Sequence, residues 1–438
     1  MTERLIVMGA AGRDFHNFLA FFKRSRRYRV VAFTAAQIPG IAGRTFPAGL
    51  AGRRYPYGIP IHPEAELGPL IRKLRADTVC LSYSDLSHQE VMDKASRVLA
   101  AGANFLLLGP RDTMVPSVRP VIAVSAARTG CGKSQTARAL AEELRRRGRR
   151  VVGIRHSMPY GRDLEAQACQ RFAGVADFAR HHTTIEEEEE YQPWLDHGFA
   201  VYAGFDYVRI LRAAEREADV LIFDGGNNDL PLVRPDLHVT VVDPHRAGHE
   251  ATYYPGFVNL LLADVVVVNK VDSAAPEAVA RVVAAVRAHN PRAIVVKARS
   301  ELRVDHPERI RGRRCAVIGD GPTLSHGGMG FGAGTLAVRR HGGRIVDPRR
   351  WLAGSLRATY RNFPHLALEI PAMGYSDAQV RDLARTVNAI PCDTVVDGSP
   401  ADLQRLIRFA RPVVNVRYEL DTRSARRLGR ILAERGLT

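Results

Sequence analysis

Eight consecutive residues could hold a nucleoside triphosphate by its phosphates. The run Ala127–Ser134 reads Ala-Arg-Thr-Gly-Cys-Gly-Lys-Ser, which is the P-loop pattern G-x-x-x-x-G-K-[ST] with alanine in place of the first glycine. In such a loop, backbone N–H groups surround the phosphates, the lysine bridges them and the hydroxyl binds Mg²⁺. The predicted nucleotide contacts are Gly130, Cys131, Gly132, Lys133, Ser134 and Gln135.

The elements around this loop are those that the mechanism needs. Apolar runs at 121–124 and 151–154 predict buried strands, and the segment 134–147 predicts a helix that stops at Gly148. The alternative is a chance glycine-rich turn. Lysine usage favours the P-loop, because the chain has six lysines among 63 Lys and Arg residues. Lys133 is therefore a lysine retained where arginine, a planar group, is otherwise preferred.

Asp224 ends a second apolar run, 220–223, downstream of the loop. An acid at the end of a buried strand is the Walker B arrangement, in which the carboxylate holds Mg²⁺ directly or through water. We predict Asp224 as a catalytic and metal-binding residue beside Ser134 and Lys133. An ordinary strand-end aspartate is the alternative.

A further apolar run is followed by Asn269-Lys270-Val271-Asp272, which matches the N-K-x-D pattern of guanine-reading GTPases. Asp272 could accept two hydrogens from the guanine edge while the Lys270 stem covers the ring. The alternative is a strand-end loop with a helix cap at Ser273. We predict Asn269, Lys270 and Asp272 as nucleotide contacts.

The segment Asp243–Glu250 also follows a predicted strand, at the sheet edge where α/β proteins bind ligands. We predict that Arg246, as a catalytic residue, and His249 contact phosphate. A metal site built from Asp243, His245, His249 and Glu250 and a purely structural loop are the alternatives.

Three other segments carry weaker signals. The glycine-rich run 325–334 could approach an anion closely or could be a flexible turn. The acidic run Glu186–Glu190 is predicted to be a solvated helix face, with His181 and His182 on the surface beside it.

Alternating strand and helix patterns predict an α/β fold with mostly parallel sheets. We predict a Rossmann-like N-terminal domain at 1–115, a P-loop domain at 116–300 and an α/β region at 301–438. The alternative is that the last region is continuous with the P-loop domain. Predicted helices include 15–24 and 401–410.

Bulk composition limits the class of protein. The 438 residues are 46% hydrophobic, without an apolar run long enough to span a bilayer or a signal-peptide pattern. Five scattered cysteines fit a reducing compartment. We therefore predict a cytoplasmic protein with no membrane partner. The charge of +17 is spread along the chain, which favours small anionic ligands over nucleic acid.

Taken together, these segments resemble the cyclic 2,3-diphosphoglycerate synthetases and their bacterial relatives labelled predicted GTPases. The resemblance covers nearly the whole chain. Besides the P-loop, it is carried by the segments 9–18, 38–44, 224–229, 243–246, 320–329 and 371–376.

The resemblance implies ATP-driven closure of 2,3-diphosphoglycerate into an intramolecular anhydride, with release of ADP and phosphate. Positioning and charge stabilisation would supply most of the catalysis. A small polyanionic substrate needs cations around it. We hypothesise that the turn at Arg13 and Asp14, the segment from Gly40 to Arg44, and His249 with Arg246 bind it.

Two questions stay open at this level. ATP follows from the resemblance, whereas Asp272 suggests GTP. A regulatory or metallochaperone-type GTPase and a nucleotide-gated binding protein are the competing functions. We expect a homo-oligomer, in the simplest case a dimer.

Overall fold

The computed structural model describes residues 2–36, 40–156, 158, 161, 163–325, 327–374 and 376–438. It confirms the predicted α/β class with mostly parallel sheets. The chain divides into two compact units. Unit 1 comprises Met1–Ala173, Phe199–Lys297 and Arg426–Thr438, and unit 2 comprises Gly174–Gly198 and Ala298–Ala425. The three-domain division drawn from the sequence stays a prediction.

The first part of unit 1 is built on a six-stranded sheet in the order β3-β4-β2-β1-β5-β7. Its strands pair in parallel except for β3 with β4. Apolar side chains of β1 such as Leu5 and Val7 are fully buried in its core. The strands of this part are β1 (Glu3–Met8), β2 (Tyr28–Ala35), β3 (Thr45–Phe46), β4 (Ile59–Pro63), β5 (Thr78–Leu81), β6 (Leu86–Ser87) and β7 (Asn104–Leu107).

The second part of unit 1 holds an eight-stranded sheet in the order β10-β11-β9-β12-β8-β13-β15-β16. Neighbours are parallel except β10 with β11. The carboxyl ends of β9, β12, β8, β13 and β15 therefore meet at one edge. The strands of this sheet are β8 (Val121–Ala126), β9 (Val151–His156), β10 (Cys169–Phe172), β11 (Ala200–Gly204), β12 (Val220–Asp224), β13 (Leu237–Val242), β15 (Val265–Val268) and β16 (Ile294–Lys297). A further strand, β14 (Tyr253–Tyr254), pairs with β6 in a separate two-stranded sheet.

Unit 2 has its own sheet in the order β17-β22-β21-β18-β19, with β20 also paired to β18. Only the β17–β22 pair among these is antiparallel. The strands are β17 (Ser300–Val304), β18 (Arg314–Gly319), β19 (Arg344–Ile345), β20 (Glu369–Pro371), β21 (Thr394–Gly398) and β22 (Val413–Leu420).

Helices cover the faces of these sheets. Within the described part of the chain, no helix combines the length and apolar character that crossing a bilayer requires. The helices are α1 (Gly12–Ala20), α2 (Ala48–Ala51), α3 (Leu67–Leu74), α4 (His88–Ala100), α5 (Pro110–Thr113), α6 (Lys133–Arg146), α7 (Ala176–His181), α8 (Ile185–Asp196), α9 (Tyr207–Ala214), α10 (Gly256–Leu262), α11 (Pro276–His289), α12 (Gly321–Leu324), α13 (Ala333–Arg340), α14 (Ser355–Asn362), α15 (Asp377–Ala389), α16 (Leu403–Leu406) and α17 (Thr422–Glu434).

Three sequence predictions were wrong in detail. The helix predicted at 15–24 begins at Gly12, because the Asp14 carboxylate accepts a hydrogen bond from the Ala11 N–H at its start. The helix predicted at 401–410 is a single turn, α16, because Ile407 turns to an extended conformation and enters the core. The glutamates at 186–189 are buried rather than solvated.

Candidate active site

The P-loop joins β8 to α6 at the centre of the eight-stranded sheet. Gly130 and Gly132 have φ angles of 80° and 97°, which favour glycine. A Cβ added at Gly132 would lie 2.1 Å from Asn269 Nδ2 and 2.4 Å from Gln135 Nε2. Glycine is therefore required there by both backbone and space, as expected of a loop that encloses phosphate.

Lys133, Ser134 and Asp224 converge as the sequence predicted. Lys133 Nζ lies 2.6 Å from Asp224 Oδ1, and Ser134 Oγ lies 3.4 Å from the same oxygen. Asp224 is fully buried at the end of β12, between the ends of β8 and β9. The pKa of Lys133 is lowered to about 8, first by burial and then by the neighbouring charge of Arg155, while Asp224 opposes the change.

Arg155, at the end of β9, is a site residue whose role the sequence did not reveal. Its guanidinium pairs with Asp224 and donates from Nη1 to Ser134 Oγ over 3.0 Å. The side chain is only 1% exposed. Its position after an apolar strand indicated a place at the ligand-binding edge of the sheet. Its contact with Asp224 could not be predicted, because it depends on the pairing of β9 with β12.

The residues present fit a magnesium ion. Ser134 and Asp224 supply a hydroxyl and a carboxylate oxygen, the hard donors that Mg²⁺ takes in small numbers beside water and substrate phosphates. Among the described residues, no three acidic, histidine or cysteine side chains are grouped as a metal site. Mg²⁺ would thus be held by these two residues together with the nucleotide.

Asn269 and Lys270 support the P-loop from the end of β15. Asn269 Nδ2 donates to Cys131 O over 2.9 Å, and Lys270 Nζ donates to Gly130 O over 2.6 Å. Lys270 Nζ also lies 2.8 Å from Asp243 Oδ2. These contacts give both residues a role that is independent of the base, whereas Asp272 is exposed.

We expect replacement of Asp272 by alanine to leave ATP affinity unchanged, because the loop contacts are made by Asn269 and Lys270. Binding of ATP and GTP to wild type and to Asp272→Ala, measured by calorimetry, checks this. A selective loss of GTP binding from a wild type that prefers GTP would show that Asp272 reads guanine instead.

Arg246 lies on the other side of the loop. Its Nη2 is 3.2 Å from Asp243 Oδ2 and 3.5 Å from Cys131 Sγ. Burial would raise the pKa of Asp243, but the charges of Lys270 and Arg246 outweigh it and lower that pKa. Arg246 is therefore at the P-loop, its charge is already shared with a carboxylate, and its contact with phosphate stays a prediction.

His249 contacts a second group that the sequence did not reveal. Its Nδ1 lies 2.8 Å from Arg128 Nη1, and burial together with the charge of Arg128 lowers the pKa of His249. Arg128 Nε and Thr129 Oγ1 both donate to Asp85, over 2.7 and 2.8 Å. His249 thus contacts the P-loop through the Arg128 side chain, and its lowered pKa favours the neutral imidazole ring.

The described contacts do not join all of the predicted substrate-binding residues into one site. Arg13 is 3% exposed, with Nη1 3.5 Å from Asp229 Oδ1 and Nη2 3.5 Å from the Tyr254 hydroxyl. Asp14 faces its own turn, where burial raises its pKa well above the usual range.

The segment from Gly40 to Arg44 has contacts different from those of Arg13 and Asp14. Gly40 is exposed, and Arg44 Nη2 donates to Gly161 O over 2.6 Å. Residues 38 and 39, which belong to the segment 38–44 that carries the family resemblance, are outside the described residues. The described contacts bring Arg13 to Asp229, in the Asp224–Asp229 segment, and Arg44 to Gly161.

With this geometry in hand, sequence comparison identifies a relative. The arginine synthetase ArcE of Thermococcus kodakarensis is 49% identical over 433 residues, which are 99% of this chain and 96% of that protein. The chain belongs to the family of this synthetase. No protein-family model matches the chain.

Solved structures show weaker likeness. LpxK from Aquifex aeolicus, in complex with ATP, covers 74% of this chain and 90% of its own, with TM-score 0.40 and 11% identity. The ligase MPL from Neisseria meningitides covers 68% and 81%, with TM-score 0.27 and 11% identity. Likeness at this level carries no functional argument.

Proposed function

We propose that the protein is an ATP-dependent synthetase that phosphorylates an oxygen of a second substrate and then exchanges that phosphate for a nucleophile. The observation that carries this is the convergence of Lys133, Ser134 and Asp224 at the P-loop in a chain 49% identical to a synthetase. Phosphoryl transfer asks for positioning and charge stabilisation rather than a covalent group from the protein, and these residues supply both.

The relative's name favours arginine as the product. Citrulline carries a ureido oxygen where arginine carries a guanidinium nitrogen, and that oxygen is a poor leaving group. In the proposed first step, it attacks the γ-phosphorus of ATP, the bond to ADP breaks, and an O-phosphorylated isourea forms. In the second step, ammonia attacks the ureido carbon, the carbon–oxygen bond breaks and phosphate leaves. A proton is lost as the nitrogen enters the guanidinium.

The described residues have defined parts in this scheme. Lys133 and Arg155 are the buried cations beside Asp224, and they would neutralise charge on the transferring phosphoryl group. The N–H groups of the glycine-rich loop would hold the remaining phosphate oxygens. Mg²⁺ bound by Ser134 and Asp224 would supply further charge neutralisation.

Synthesis of cyclic 2,3-diphosphoglycerate is the second candidate, favoured by the sequence segments that resemble that family. The charges of the site weigh against it. Among the described ion pairs of the site, six cations, Arg13, Arg128, Lys133, Arg155, Arg246 and Lys270, pair with four carboxylates. Together with the two charges of Mg²⁺, the excess of two positive charges suits one triphosphate. A second ligand with roughly four to five negative charges would need more.

A product assay tests the proposal. The protein is incubated with ATP and Mg²⁺ together with citrulline and ammonium, or with 2,3-diphosphoglycerate. Mass spectrometry detects arginine and phosphorus NMR detects a cyclic anhydride. We expect arginine and ADP in equal amounts. The anhydride in place of arginine would support the second candidate, and hydrolysis without either product would support a GTPase-like function once repeated with GTP.

Replacing Arg13 by alanine should raise the KM of the second substrate while nucleotide affinity stays unchanged. Arg13 contacts Asp229 and Tyr254 but no P-loop residue among its described contacts. Steady-state kinetics and nucleotide calorimetry on Arg13→Ala check this, with exposed Arg53→Ala as the control. An unchanged KM would remove Arg13 from the substrate site.

A further inference from the structure

Four consecutive glutamates of α8 are buried in unit 2, although a run of acids ordinarily faces solvent. The exposed fractions of Glu186, Glu187, Glu188 and Glu189 are 1%, 1%, 6% and 5%. Burying a carboxylate is costly unless a hydrogen bond or a cation compensates it. Each of the four carboxylates therefore needs a compensating hydrogen bond, a cation or a bound ligand.

Glu187 and Glu188 each have described partners that compensate their burial. Glu187 caps its own helix by accepting from Thr184 N and Thr184 Oγ1, over 2.9 and 3.0 Å. Glu188 forms an ion pair with Arg405. Glu186 and Glu189 are three residues apart and so share a different face of the helix.

Glu189 reaches the carboxyl edge of the unit 2 sheet. Its Oε1 accepts from Ser399 Oγ over 2.6 Å, whereas its buried Oε2 has no hydrogen-bond partner among the described residues. Ser399 directly follows β21. In parallel sheets, ligands bind at the carboxyl ends of the strands, so the unpartnered oxygen lies at the edge where a ligand is expected.

Asp397, at the end of β21, repeats this pattern independently. Its Oδ1 accepts from Ser399 N over 2.9 Å, and its Oδ2 is buried without a hydrogen-bond partner in the part of the chain that the structure describes. The side chain is fully buried. Two carboxylates from different elements thus use one oxygen to bind Ser399 and leave the other unmatched.

Further negative charge comes from the neighbouring strand. Asp320 follows β18, which pairs with β21. Burial raises the pKa of Glu189 well above its usual range, and the charges of Asp320, Glu186 and Asp397 raise it further. The nearby cation, Arg417, donates to backbone oxygens of Ser399 and Val416 in its described contacts.

We propose that Glu189 and Asp397 form a pocket for the guanidinium group of arginine. The pocket's preference for a cation follows from the two unmatched buried oxygens, and the identity of the ligand rests on the proposed function. Among the described residues, no group of three acidic, histidine or cysteine side chains that could hold a metal ion is present. A planar guanidinium has N–H donors on several edges and can pair with two carboxylates at once.

Calorimetric titration of the full-length protein with arginine, without nucleotide, tests the pocket. We expect wild type to bind arginine more tightly than uncharged citrulline. Glu189→Gln and Asp397→Asn should each weaken arginine binding at least about tenfold, the effect of losing one charged hydrogen bond. Glu301→Gln, an exposed acid of β17 in the same unit, should leave it unchanged.

Thermal melting shows that each variant is folded. The amides keep the shape of the side chains and remove uncompensated charge, so the melting temperature should stay the same or rise. Wild type that does not bind arginine, or folded variants that all bind it like wild type, would overturn the pocket. If a protein that fails this binding test still forms arginine, the pocket is refuted and the proposed function stands. Binding lost in the variants of a protein that forms no arginine supports the pocket and refutes the proposed function.

Discussion

Replacing Lys133 by alanine should abolish turnover, with a loss of at least about a thousandfold in kcat. The lysine is a buried cation of the P-loop, with its ammonium group 2.6 Å from Asp224 Oδ1. Alanine removes the charge that would neutralise the transferring phosphoryl group. Arg155 still faces Asp224 in the variant, so the buried carboxylate keeps a partner and the fold should persist.

The rate of ADP release measures the predicted loss in kcat. Lys73→Ala, which changes an exposed lysine of α3, is the matched control and should retain wild-type activity. Circular dichroism verifies the fold of both variants. Turnover by folded Lys133→Ala at the wild-type rate would remove the P-loop from the chemistry.

Replacing Asp224 by asparagine should reduce both activity and stability. The carboxylate is fully buried and faces Lys133 and Arg155. Its loss leaves two buried cations without their partner, at a cost of about 3–5 kcal/mol. It also removes one of the two predicted Mg²⁺ ligands, so we expect kcat to fall at least about a thousandfold.

Added triphosphate should restore much of the lost stability, because its phosphates would supply negative charge to Lys133 and Arg155. Thermal melting with and without ATP measures this. Asp219→Asn is the matched control, because Asp219 precedes the same strand, β12, at its opposite end and pairs with Arg150 on the surface. An Asp224→Asn variant with wild-type activity and stability would contradict the assigned role.

Local patterns in the sequence were enough to predict the elements of the site. The apolar runs of β8, β12 and β15 place the P-loop, Asp224 and Asn269 at strand ends, and the glycines fix the loop. These features depend on neighbours in sequence. The structure adds that the three strand ends lie within one group of neighbouring strands.

Contacts between distant segments could not be predicted in this way. The pairing of Arg155 with Asp224 depends on which strands are neighbours, and that of Arg128 with Asp85 depends on packing between the two parts of unit 1. The glutamates of α8 have the composition of a solvated face. Their burial follows from the position of the helix in unit 2, where Glu189 meets Ser399 across 210 residues of chain.

The fate of one oxygen atom tests the central claim most directly. Citrulline labelled in its ureido oxygen with the heavy isotope is supplied with ATP, Mg²⁺ and ammonium, and mass spectrometry follows the label. Transfer of the γ-phosphoryl group to that oxygen predicts that the label appears in the released phosphate, one atom for each arginine formed. Phosphate without the label, released while ATP is consumed, would contradict the account.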